Sequence, residues 1–161
     1  MMSNKITNFM VYVLAAFAAA GIVAEGLTNT VYAQEQEYAA TLGLFQEEIP
    51  PTNSTATGKV EFTVMEDSIQ YTVDIPSIQN VTAGHIHYGG QNETGPIIVT
   101  LFNYDSPMNS VAENGSITAE DLEGPLVGQN ITQLVTAMDN GQTYINIPTL
   151  KYPNGEIRGD P

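Results

Sequence analysis

His85 and His87 are the chain's complete stock of imidazole, and they stand two residues apart. On a β-strand that spacing sends both rings to one face. Neutral imidazole nitrogens bind copper, zinc, nickel or iron, so copper or zinc is the cofactor to test. A closed zinc site takes four ligands and a catalytic one takes three plus water. The pair therefore needs help, for which Glu156, Asp105, Tyr88 or a second copy of the chain are the candidates. The alternative is structural: the rings pack beside the Gly89-Gly90 turn and hydrogen-bond to backbone carbonyls or carboxylates.

Glu156 and Arg158 are also two apart, with Ile157 between them expected to face the core. Arg158 is the one arginine in the sequence. It could bind an anionic ligand, or pair with Glu156 or another carboxylate to lock the last strand. No residue is assigned a catalytic role. Ser116 follows a glycine but lacks the flanking glycine and strand-to-helix context of a nucleophile elbow. Calcium loops, phosphate-binding glycine loops and dinucleotide fingerprints do not occur. Asp139-Asn140-Gly141 is a helix stop rather than a cation loop.

With 161 residues and 42% apolar composition, the chain suits one globular domain. Four basic against 18 acidic side chains give a formal charge of -14. That field repels phosphate backbones and argues against a nucleic-acid partner. The absence of cysteine excludes disulfides and thiolate metal sites. Lys5 precedes an apolar run from Phe9 to Ala24, and Val31-Tyr32-Ala33 follows at a distance that fits a signal peptidase site. Residues 1-33 are thus expected to be a signal peptide and 34-161 the mature domain, secreted or held at the cell surface without stable membrane insertion. An uncleaved N-terminal anchor is the competing expectation. Five Asn-x-Ser/Thr sequons follow, at Asn53, Asn80, Asn92, Asn114 and Asn130, and become glycosylation candidates on export. Asn114 is expected in an exposed Asn-Gly-Ser turn.

The elements that must position these residues read mainly as strands. A short strand is expected between Gln34 and Leu44, then a loop from Gln46 to Gly58. Val60, Phe62 and Val64 alternate with polar residues, as do Ile69, Tyr71, Val73 and Ile75 after a turn at Glu66-Asp67. Val81 to Tyr88 is a third strand. Pro96 to Phe102, apolar on both faces, is expected to be central in its sheet. Turn residues dominate Asn103 to Gly128, with a helical turn at Thr118 to Leu122 capped by Thr118 and Asp121. Asn130 is positioned to cap a helix carrying Ile131, Leu134, Val135 and Met138 and stopped at Gly141. Tyr144 to Ile147 and Glu156 to Arg158 form a closing hairpin around Pro153-Asn154-Gly155. The pattern predicts an all-β fold with one or two short helices, a Greek-key antiparallel β-sandwich.

Three segments together resemble a known family. They are Ala83-Gly84-His85-Ile86-His87 with Gly95-Pro96-Ile97-Ile98-Val99 and Leu101-Phe102; Ile117-Thr118-Ala119-Glu120-Asp121-Leu122; and Tyr144-Ile145-Asn146-Ile147 with Tyr152-Pro153-Asn154-Gly155-Glu156-Ile157-Arg158-Gly159. Their order and spacing are similar to the CHRD (chordin-type) domain over roughly Glu37 to Asp160. The resemblance implies an extracellular β-rich module without an established reaction, with Gly155, Glu156, Arg158 and Gly159 as its structural motif. It implies a binding or structural role, with a protein, glycan or surface layer as partner. Growth-factor binding does not carry over, because the cysteine-rich modules of chordin are missing. Family members commonly place a histidine after the Tyr-x-Asn-x stretch, where this chain has Pro148. Copper-zinc superoxide dismutases carry a similar His-x-His strand in a sandwich, but that chemistry uses more imidazoles than two. A metal-binding protein using His85 and His87 remains the alternative function. Assembly through strand edges into a fibre or lattice is a third.

Overall fold

The computed structural model describes residues 35-43, 53-90 and 93-161. The predicted signal segment, residues 46-52 of the expected loop and the sequon at Asn92 lie outside them. Among the described residues, eight strands form two antiparallel sheets of four. The first sheet runs β1 (Gln36–Leu42), β2 (Gly58–Val64), β3 (Ile69–Ile75) and β6 (Val111–Ile117). The second runs β5 (Ile97–Met108), β4 (Val81–Tyr88), β7 (Thr143–Ile147) and β8 (Ile157–Gly159). The chain leaves the first sheet after β3 and returns with β6 beside it, the Greek-key excursion that the alternating pattern predicts. At the far seam Gly43 bridges Arg158, exchanging N–H···O bonds of 3.0 and 3.1 Å and so joining the ends of β1 and β8.

Alternation fixes which residues fill the space between the sheets. Val60, Phe62, Ile69, Val73 and Ile75 from one side meet Ile86, Ile145, Ile147 and Ile157 from the other, all nearly inaccessible to water. Each such burial contributes about 1.5–3 kcal/mol, so the interleaved apolar rows dominate the energetics. Outward residues matter less; the exposed Lys59–Glu61 pair at 2.6 Å is worth under about 1 kcal/mol. The helix α1 (Ile131–Asp139) buries Ile131, Leu134, Ala137 and Met138; of the predicted stripe Val135 is only partly buried and Ala137 takes its place, and Gly141 ends the helix at φ 62°. Asn130 occupies the cap position, but its side chain makes no capping bond. At Thr118 the expected turn forms, with the Asp121 carboxylate accepting from the Thr118 N–H and hydroxyl at 2.8 Å each.

Three expectations need correction. The apolar segment after Pro96 is an edge strand, with β4 and β7 central. Register shifts along β4 interrupt strict alternation and bury Ile98 with Val99, and Leu101 with Phe102, in consecutive pairs. The outer edge of β5 is partly covered, since the Glu123 N–H donates to the Ile98 carbonyl at 2.8 Å. Residues 103–108 and 111–117 are strand, with only Asn109-Ser110 turning between them: β5 continues to Met108 and β6 follows. Polar side chains hide this hairpin because most of them face water, and only Val111 and Ile117 of β6 are buried. Consequently Asn114 lies on a strand, opposite Thr72. Gly115 beside it serves packing rather than turning: a Cβ there would stand 2.6 Å from the Tyr71 hydroxyl, which donates to the Leu101 carbonyl.

Tyr104 of β5 donates to Glu113 of β6 at 2.8 Å, linking the two sheets at their connection. Burial, followed by the Glu113 bond and charge, pushes its phenol up to about 12. The folded value exceeds the unfolded one near 10, so this contribution is complete below pH of about 10 and is lost as pH rises towards 12. Tyr38 and Tyr71 are shifted upward as well, chiefly by burial, and share in the loss. The urea midpoint is therefore expected to fall between pH 10 and 12, and Tyr104→Phe to make that fall shallower. A Tyr104→Phe profile parallel to the wild type would remove this residue from the account.

Candidate functional site

Strand register brings the chemically capable residues together on the outer face of the second sheet. His87 pairs with Tyr144, and His85 with Asn146, which in turn pairs with Arg158. Their neighbours Ile86, Ile145 and Ile157 point the other way, into the core. A period of two thus separates an apolar inner row from a polar outer one. The His87 ring stacks on Tyr144 with centroids 4.8 Å apart and planes 15° from parallel. The Arg158 guanidinium lies over the same Tyr144 ring, 3.3 Å from its centre.

The segment after β4 is fastened onto this face by three side chains. Arg158 donates through Nη1 to the Glu93 carbonyl at 2.9 Å and through Nη2 to the Gly90 carbonyl at 2.7 Å. The Tyr144 hydroxyl accepts the Gly95 N–H at 3.1 Å, and His87 Nδ1 bonds the Gly95 carbonyl at 2.8 Å. A carbonyl can only accept, so Nδ1 carries the proton and Nε2 the lone pair. Nε2 is buried and has no partner among the described residues, a state that costs about 1–3 kcal/mol. Burial, foremost, and the neighbouring Arg158 charge pull the His87 pKa down against the Gly95 bond. His85 is held down by burial and then by His87, against the charge of Glu123. Both rings are therefore neutral at ordinary pH.

Arg158 also has the Asp160 carboxylate 3.9 Å from its Nε. Glu156 sits just before β8 and points its carboxylate elsewhere, accepting from Ser54 at 2.7 Å and from Thr149 at 2.8 Å. Among the described residues no group of three His, Cys, Asp or Glu side chains is placed to hold a metal ion, so neither Glu156 nor Asp105 completes the histidine pair. Where the family histidine would stand, Pro148 is buried and its carbonyl accepts the Thr82 N–H at 3.1 Å.

The glycines of the last motif have spatial reasons. Gly155 adopts φ 123°, and a Cβ there would run into the Asn146 amide. A Cβ on Gly159 would come within 2.5 Å of the Thr41 carbonyl oxygen, so glycine lets β8 approach β1. Sequence reasoning overlooked Tyr144, the ring that both His87 and Arg158 use. Its register opposite His87 was the available signal, but pairing between distant strands is not written in either strand alone.

A second feature is an open cleft of about 310 Å³ lined by Asn53, Ser54, Ser77, Asn80, Tyr152 and Glu156, among others. The four sequon asparagines within the described residues, Asn53, Asn80, Asn114 and Asn130, are all exposed. Asn80 has φ 54°, a conformation that asparagine tolerates better than most residues. Among the described residues no helix is long and apolar enough to cross a membrane. In comparison with known proteins, the model of the CHRD domain matches residues 38–160. No curated protein and no solved structure matches the chain.

Proposed function

The chain belongs to the CHRD domain family, and from that premise we propose that it is exported and acts as a binding or structural module at the cell surface or outside the cell. CHRD domains are generally non-enzymatic. Export is supported by Lys5, the apolar run from Phe9 to Ala24 and the Val31-Tyr32-Ala33 site. The observation that carries the binding reading is the open cleft. Its hydroxyls, amides and Tyr152 ring, with Ala56 and Ile78 beside them, offer both polar and apolar surface, the combination that a glycan of the envelope or matrix engages when a sugar face packs on a ring and its hydroxyls take hydrogen bonds. Meanwhile Arg158, Tyr144 and His87 hold the neighbouring segment to the sheet, the work of a scaffold. Asn53 and Asn80 border the cleft, so a sugar attached at either would occupy it.

Expression of the whole chain in a secreting host is expected to yield extracellular protein whose intact mass begins at Gln34. The unglycosylated form is expected to be retarded on immobilised envelope polysaccharide. Tyr152→Ala should weaken that retention about tenfold, equivalent to roughly 1.4 kcal/mol. Recovery solely from cytosol with residues 1–33 intact would overturn export, and unretarded passage would overturn glycan binding.

A further inference from the structure

We propose that His85 and His87 form a two-coordinate site for a soft monovalent cation, copper(I), held between their imidazole nitrogens. The inference goes beyond the cleft and is independent of it. Its first support is the state of His87: the Gly95 carbonyl takes the Nδ1–H at 2.8 Å, leaving an Nε2 lone pair that is buried and without a partner. A backbone carbonyl on one nitrogen is how metal-bound histidines are commonly oriented.

Spacing is the second support. The ring centres of His85 and His87 stand 5.9 Å apart. Two imidazoles that bond one ion from opposite sides, at metal–nitrogen distances of about 2 Å, place their centres roughly 6 Å apart. The rings meet in a T-shaped arrangement with their planes 84° apart; the Gly95 bond and the Tyr144 stack hold His87, so His85 is the ring that turns its lone pair towards the ion.

Ligand count and charge then select the ion. Zinc asks for three or four donors, and the described residues bring no third imidazole or carboxylate to the pair. Copper(I) is satisfied by two nitrogens. The Arg158 charge acts on His87, and Coulomb repulsion against a divalent ion would be twice that against a monovalent one. The net charge of -14 still draws cations towards the molecule.

The test uses the whole untagged chain, kept reduced without oxygen and titrated against the coloured copper(I)–bicinchoninate complex. Wild type is expected to withdraw a single equivalent of copper, with two nitrogen neighbours by X-ray absorption. His85→Ala and His87→Ala should each abolish the withdrawal. His85→Ala leaves the His87–Gly95 bond and the Tyr144 stack in place, and an unchanged circular-dichroism spectrum separates loss of the site from loss of the fold. The proposal is overturned if wild type takes no copper, if three or more ligands surround the ion, or if the double variant takes as much as wild type, with the ion then on the exposed Met65 or Met108 thioethers.

Discussion

Gly95→Ala is expected to lower the unfolding free energy by about 3 kcal/mol or more, in the range of a severe overpacking substitution. A Cβ at this position would land on the carbonyl of Tyr88, which is backbone and cannot rotate away. Local movement is also blocked, because the Gly95 N–H is held by Tyr144, its carbonyl by His87, and the Pro96 carbonyl by the Tyr88 N–H at 2.9 Å. Relief of the clash must therefore break the fastening of this segment. Urea unfolding monitored by circular dichroism gives the measurement. Gly43→Ala is the control: a Cβ there meets nothing within 4 Å, and its midpoint should shift by less than about 0.5 kcal/mol in free energy. Equal effects at the two positions would refute the steric argument.

Arg158→Ala is expected to cost about 3 kcal/mol. Its guanidinium makes two charge-assisted bonds to carbonyls, each worth about 1.5–3 kcal/mol at most, and lies on Tyr144, worth about 0.5–2 kcal/mol. The total is reduced because water replaces part of what is lost. Arg158→Lys keeps the charge but not the planar fork that reaches Gly90 and Glu93 together, so it should recover less than about half of the stability. The second readout is local: in Arg158→Ala, limited proteolysis should cut between residues 89 and 95 well before the rest of the domain. If Arg158→Ala unfolds like wild type and resists cleavage, the residue does not hold this segment.

Much of the architecture is legible in the sequence where one face of a strand is wet and the other dry. Val60 and Phe62, or Ile69, Val73 and Ile75, declare their strands because burial selects apolar residues at every second position. The same rule fails for the β5–β6 hairpin, whose side chains around Tyr104 to Ser110 are mostly exposed. It also misplaces the apolar segment after Pro96, because the register shifts on β4 make an edge strand imitate a central one. At the site, the shared face of His85 and His87 follows from their spacing. The roles of Tyr144 and Gly95 depend on cross-strand register and on where a loop folds back, which are tertiary facts. Glu156 shows the limit: its proximity in sequence to Arg158 suggests a shared face, yet its carboxylate bonds Ser54 and Thr149.

The seam where Gly43 meets Arg158 has a consequence for the order of events during biosynthesis. β8 is the last strand in chain order and lies against both β7 and the end of β1, so the earliest strand waits for the latest to emerge. This topology delays the final closure of the domain until nearly every residue has been synthesised. Non-local completion of this kind is slow, so the nascent domain stays open at this seam until its last strand arrives.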